Sequence, residues 1–169
     1  FVGVPDGTVH IPVPDVKRPL ALPELATVKE NNDDKGQGRV KVAFDWQKNG
    51  KTTNWIRVQT PNAGVSGAVP KNRGWVFVPE VGDQVMVSYE HGNPDRPYVT
   101  GSVFHSGSGK GGDKDNKVKS IITRSGNAIV FDDETGSIVI TDQTGKQLIM
   151  LDGTDAITVM AKRSITLTN

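Results

Sequence analysis

The chain has 169 residues, enough for one medium domain with an appendage or for two small ones. Twenty Lys and Arg against nineteen Asp and Glu leave a formal charge of +1, so no bias points to nucleic acid or to an acidic membrane surface. Cysteine is absent, which excludes disulfides, thiolate chemistry and cysteine zinc sites.

No apolar run approaches the roughly 18 residues of a membrane span, and no charged-then-apolar leader opens the chain, so an integral membrane protein is not expected. The chain begins at Phe1 rather than Met and reads as a piece of something longer. Nineteen glycines and ten prolines, with no sustained apolar stripe at helical period, indicate an all-β protein.

Residues 1–24 form the first expected unit, an extended connector. Pro5, Pro12, Pro14, Pro19 and Pro23 recur through it, and proline lacks the donor that a central strand needs. The one helix candidate is a single turn at Pro23-Glu24-Leu25-Ala26. Residues 25–105 follow as a β-rich block. Arg39–Phe44 alternates apolar and polar positions; after the turn pair Asn49-Gly50, Trp55–Thr60 does the same. Trp75–Val78 is a short apolar run and predicts a strand buried on both faces. Gln84–Tyr89 and Tyr98–Phe104 complete five expected strands, a set that suits a small closed barrel of the OB type. Residues 106–118 are dominated by Gly, Ser, Lys and Asp and read as a linker.

Residues 119–169 repeat one short unit, in which two apolar residues flank one position of opposite facing and a polar turn follows. The pairs are Ile129/Phe131, Ile138/Ile140, Ile149/Leu151, Ile157/Val159 and Ile165/Leu167. Alternation at period two marks strands with one buried face, and regular repetition marks a stacked array. Within the tail there is no second layer to cover that face. Three copies wound around a shared dry axis are the simplest closed solution, with these ten residues as the trimer interface. The plainer alternative lets the tail lie over the preceding domain as ordinary sandwich strands. The register of Leu148-Ile149-Met150-Leu151 is ambiguous, because four consecutive apolar residues fit either face.

No catalytic, cofactor-binding or metal-binding constellation emerges. His10, His91 and His105 fall in unrelated segments and read as surface or turn residues. Gly64-Val65-Ser66-Gly67 lacks the second glycine of a nucleophile elbow. Gly107-Ser108-Gly109-Lys110-Gly111-Gly112 lacks the Ser or Thr after lysine, and the following helix, of a phosphate loop. Asp113, Asp115, Asp132, Asp133 and Glu134 match no calcium-binding pattern and read as solvated turns. Glu90 and Arg96 flank a turn and are expected to form an exposed ion pair worth under about 1 kcal/mol. No enzyme is expected.

The stretch Gly74–Gly101, GWVFVPEVGDQVMVSYEHGNPDRPYVTG, resembles the VgrG spike family of type VI secretion systems and its phage tail-spike and contractile-injection relatives. Gly38–Val42 with Trp46, Trp55–Val58, and Lys119–Asp133 (KSIITRSGNAIVFDD) carry the likeness further, so that it runs from about Leu25 onward. The resemblance implies an OB barrel leading into a triple-stranded β-helix, assembled as a homotrimer. It also implies tail-tube or hub proteins on the N-terminal side, and a PAAR-like tip protein or effectors on the C-terminal side. Assembly would take place in the bacterial cytoplasm, followed by secretion or injection, with the target envelope met in passing. The family's hub domain and the His-x-His tip motif of some members are not found among these 169 residues.

Two functions from different classes follow. The first is a structural spike that pierces envelopes mechanically. The second is an OB module that binds single-stranded nucleic acid or oligosaccharide, using Trp46, Trp55, Trp75 and Tyr89 with Lys41, Arg57 and Arg73. The near-neutral charge and the lack of a basic stripe count against the second, so no specific nucleic acid is expected.

Overall fold

The structure, a computed structural model, describes residues 3, 6, 7, 16–109, 112 and 114–166. It is all-β. The strands are β1 (Glu24–Glu30), β2 (Lys41–Phe44), β3 (Arg57–Val58), β4 (Ala63–Gly64), β5 (Arg73–Gly74), β6 (Gln84–Tyr89), β7 (Pro97–Ser102), β8 (Val118–Ile122), β9 (Ala128–Asp132), β10 (Ser137–Thr141), β11 (Leu148–Leu151) and β12 (Ile157–Met160). Among the described residues the only helical element is a 3-10 turn at Glu90–Gly92, and no helix is long and apolar enough to cross a membrane. The chain divides between Ser102 and Val103 into two compact units.

The first unit is built on a five-stranded sheet in the order β2-β1-β6-β7-β3, antiparallel except for the parallel β7–β3 pair. The sheet curls, and its two outer strands meet at an isolated bridge. There Val40 and Ile56 exchange two backbone hydrogen bonds, of 3.0 and 2.9 Å. Irregular register at Val28/Glu30 and Met86/Val87 accompanies the bend, as bulges do in strongly curved sheets. Alternate residues point inward: Ala26 and Val28 from β1, Val42 and Phe44 from β2, Val85 and Val87 from β6, and Val99 from β7, joined by Val40 and Ile56. The fully buried side chains are all valines, whose stiff branched form suits a narrow curled sheet. A small β4–β5 hairpin stands beside this sheet.

Three expectations are corrected here. The turn expected as helix at Pro23–Ala26 belongs instead to the connector's end and to β1, where Ala26 and Val28 are buried and Leu25 is exposed. Trp75–Val78 is not a strand. Trp75, Val76 and Phe77 are more than half exposed, and only Val78 packs on the core. The strand expected over Trp55–Thr60 shrinks to Arg57–Val58 plus the Ile56 bridge.

The second unit is an antiparallel meander in strict chain order, β8-β9-β10-β11-β12. The inner strands β9, β10 and β11 each take both hydrogen-bonding neighbours from this same chain. Further copies are therefore not needed to complete their ladders. No described residue of this unit is buried, so what it lacks is cover for side chains.

Candidate assembly face

Register decides which side chains share a face. Ile138 stands opposite Phe131 on one side and Leu151 on the other, and Leu151 stands opposite Ile157. Ile140 likewise stands between Ile129 and Ile149, with Ile121 beyond Ile129 and Val159 beyond Ile149. Because strand side chains alternate, these two rows lie on one face. Ile149 and Leu151 therefore share the face of Ile138 and Ile140, while Leu148 and Met150 lie on the other.

The face is apolar and uncovered. Phe131, Ile140, Ile149, Leu151 and Val159 are 40–48% exposed, and Ile157 is 70% exposed. Ile129 and Ile138 are half-buried. Its one charged member is Lys119, opposite Phe131 on the edge strand β8. The Lys119 ammonium reaches Asp133 at 2.6 Å and the Asn116 carbonyl, so it is satisfied at the rim. Beside it Lys117 pairs with Glu134 at 2.6 Å. The fifth expected pair does not join the sheet: residues 161–166 form no strand, Ile165 is 54% exposed, and Leu167 lies outside the described residues.

The turns explain why the meander holds this register. Asp132 accepts the Glu134 amide at 2.9 Å, Asp142 the Thr144 hydroxyl at 2.6 Å and the Gln147 amide at 3.0 Å, and Asp152 the Thr154 amide at 2.8 Å. Each aspartate folds the chain back locally, as side-chain-to-backbone turns do. These bonds hold all three carboxyls below the usual carboxylate range, led by the Glu134 amide, the Thr144 hydroxyl and the Thr154 amide respectively. Turns at one end of the ribbon also touch: the Gln143 amide donates to Asn127 Oδ1 at 3.1 Å.

In the first unit, most of the residues considered for nucleic-acid or sugar binding are already engaged, Trp75 remaining more than half exposed. Lys41 bonds Glu30 at 3.0 Å and stands 4.8 Å from the Trp55 ring centre. Trp46 stacks on Phe44 and donates to Glu24 at 2.8 Å. Glu90 pairs with Arg57 and, at 3.4 Å, with Arg96. Arg73 bonds Asn62 and the Val65 carbonyl. Ser66 Oγ accepts the Val69 amide at 3.2 Å within a loop. Sequence reasoning missed Asp33, whose carboxylate grips Arg39 through two bonds of 2.9 and 2.7 Å and closes the loop before β2. An aspartate six residues before an arginine was the only signal.

Comparison with known proteins agrees with this architecture. Residues 24–104 match the family model of the type VI secretion system/phage-baseplate injector OB domain. The type VI secretion system spike protein VgrG1a of Pseudomonas aeruginosa is 37% identical over 99 residues, 56% of this chain and 14% of that protein. VgrG3 of Vibrio cholerae, also a type VI spike protein, is 34% identical over 111 residues, 59% of this chain and 10% of its own length. VgrG5 of P. aeruginosa is 41% identical over 73 residues, 41% of this chain and 8% of that protein. The chain thus spans about a seventh or less of these curated relatives. Residues 24–104 thus resemble an injector OB domain, and the chain that carries them is similar over part of its length to the VgrG spike proteins of type VI secretion systems.

Proposed function

We propose that this chain is a segment of a homotrimeric spike of a contractile injection machine, a type VI secretion system foremost. The observation that carries the reading is the uncovered apolar face of the β8–β12 ribbon, in a chain whose other unit matches the model of an injector OB domain. A contiguous apolar face of this kind marks an interaction surface. Three ribbons facing inward form the triple-stranded β-helix, with Ile129, Phe131, Ile138, Ile140, Ile149, Leu151, Ile157 and Val159 at the axis. Ile165 and Leu167 continue the same pattern beyond the last described strand.

The geometry supports the mechanical role. The strands have four or five residues each and stack in sequence order, so the long axis of the ribbon runs across them. Five strands span about 19 Å along that axis. Ladder hydrogen bonds lie along the same direction, and axial load is shared among them and the dry core. The spike acts by concentrating force on an envelope, not by catalysis. Hub or tail-tube proteins sit on its N-terminal side and a tip protein or effectors on its C-terminal side. It assembles in the bacterial cytoplasm and leaves with the particle.

Sedimentation equilibrium of the full chain tests the reading, with three times the chain mass expected. A folded monomer at micromolar concentration would refute it. Ile140→Asp places three like charges in one dry layer and is expected to abolish the trimer. Thr158→Asp, on the opposite face, is expected to leave it intact. Equal loss from both substitutions would show that the faces are misassigned.

A further inference from the structure

The near-neutral charge of the whole chain hides one unbalanced segment. From Trp46 to Pro79 the sequence holds Lys48, Lys51, Arg57, Lys71 and Arg73 and no aspartate or glutamate. The second half of this segment is the β4–β5 arm that stands beside the curled sheet. Ala63 pairs with Gly74 and Gly64 with Arg73, and the Trp75 amide extends the ladder to the Asn62 carbonyl at 2.9 Å. Side chains alternate along a strand, so Arg73, Trp75 and Phe77 share one face and Val76 lies on the other. In agreement, the Trp75 and Phe77 ring centres are 6.0 Å apart. Trp75, Val76 and Phe77 are 52%, 60% and 58% exposed, so the arm is open and apolar on both faces; Val65 and Val69 in its loop are exposed as well. Its two cations have no acidic partner. Arg73 donates to the neutral Asn62 Oδ1 and Val65 carbonyl, and Lys71 forms no ion pair among the described residues. Glu80, the next acid along the chain, accepts from Asn31 at 3.2 Å.

Charge and shape together select the partner. A protein surface covers one face of a hairpin and needs a groove to key on. Neither the cavity lined by Trp55, Arg57 and Arg96 nor the one lined by Lys29, Phe44 and Lys51 includes a residue of the arm. A nucleic-acid strand stacks its bases on open ring faces, whereas these two rings pack against each other at 42°. A bilayer interface surrounds what enters it, takes tryptophan at headgroup depth and holds Lys and Arg beside anionic lipids. We infer that the Asn62–Phe77 arm is a peripheral membrane anchor. It seats Trp75, Val76 and Phe77 in the interface of an anionic phospholipid bilayer, with Lys71 and Arg73 at the phosphates. The attachment is to the surface and spans nothing. Every residue of the anchor lies in the first unit, so it does not depend on how many ribbons associate.

Co-sedimentation of the full chain with vesicles tests the anchor. One set is pure phosphatidylcholine, and the other has equal parts phosphatidylcholine and phosphatidylglycerol. Binding to the anionic set is expected, at least about tenfold tighter than to the neutral set and weakened by salt. Trp75→Ser/Phe77→Ser is expected to lower it by about tenfold or more, and Lys71→Glu by about fivefold or more. Val81→Ser and Lys146→Glu, outside the arm, should change it little. Should the double variant fail to fold by circular dichroism, Lys71→Glu against Lys146→Glu decides. No binding to anionic vesicles, or equal loss from variants inside and outside the arm, would overturn the anchor. A fall in native mass caused by Trp75→Ser/Phe77→Ser would also overturn it, assigning the arm to a contact between copies. The native mass of the wild-type chain keeps the two proposals apart. A monomer that binds anionic vesicles would refute the trimer and retain the anchor, and a trimer that does not bind them would do the reverse.

Discussion

Asp33 shows how one side chain ties the stability of the first unit to pH. Its carboxylate is only 2% exposed and receives the Arg39 guanidinium together with the Lys35 and Gln37 amides at 3.1 and 3.0 Å. The hydrogen bonds from Arg39, then those backbone amides, hold its carboxyl far below the ordinary range. A group depressed in the folded state stabilises above its unfolded value, near 3.9, and that contribution is lost as pH falls toward the folded value. The melting temperature of wild type should therefore exceed that of Asp33→Asn by a constant margin above about pH 5, and the margin should narrow below about pH 4. A margin unchanged down to pH 2 would show that the charge is not what matters. Gly153 gives a second test at this scale. Its φ is +79°, and a methyl group there would run into the Thr135 carbonyl and the Gly136 backbone. Gly145 has a similar φ of +68° but open space around it. Gly145→Ala should cost about 1 kcal/mol from backbone strain alone, and Gly153→Ala about 1–3 kcal/mol more. Thermal melts followed by circular dichroism would rank them.

At the scale of elements, legibility followed how many signals agreed. In β9 and β10, short β-branched and aromatic runs are punctuated by an aspartate and a glycine, so strand composition and turn chemistry point the same way. In β1 they disagree. Pro23 and Glu24 imitate a helix start, Leu25 is apolar but exposed, and the buried face is only Ala26 and Val28. The run Trp75–Phe77 misled for another reason: an apolar run signals burial, but not by which surface, and among the described residues none covers it. The register of Leu148–Leu151 was unreadable because it depends on partners across the sheet, Ile140 and Ile138, rather than on the run itself. As for the candidate face, eight of the ten residues expected there from the sequence line up on one side of the sheet, and Ile165 does not, because the repeat pattern cannot say where the last strand ends. One consequence concerns the segment between units. Its composition proposes a linker at 106–118, and limited trypsin treatment should cut there first, at Lys114 among the described lysines. Earlier cleavage within β1–β7 or β8–β12 would show that the segment is protected.

For the molecule as a whole, the described residues place every buried apolar side chain in the first unit and none in the second. The first unit has its own core, so its stability is expected to be a property of one chain. The second has a completed hydrogen-bond ladder but an open face, so its stability is proposed to come from association. The two units should then respond differently to dilution. For three chains that fold only together, each tenfold dilution weakens the assembled state by about 3 kcal/mol per trimer. Calorimetry of the full chain over a hundredfold range of concentration should show two transitions. The one that shifts to lower temperature on dilution should be missing from Ile140→Asp, and the one that stays fixed should be retained. Two concentration-independent transitions would mean that the ribbon is covered within its own chain. A single transition that moves as a whole would mean that the OB unit also depends on its neighbours, with the exposed Trp75–Phe77 run the first place to look for the contact.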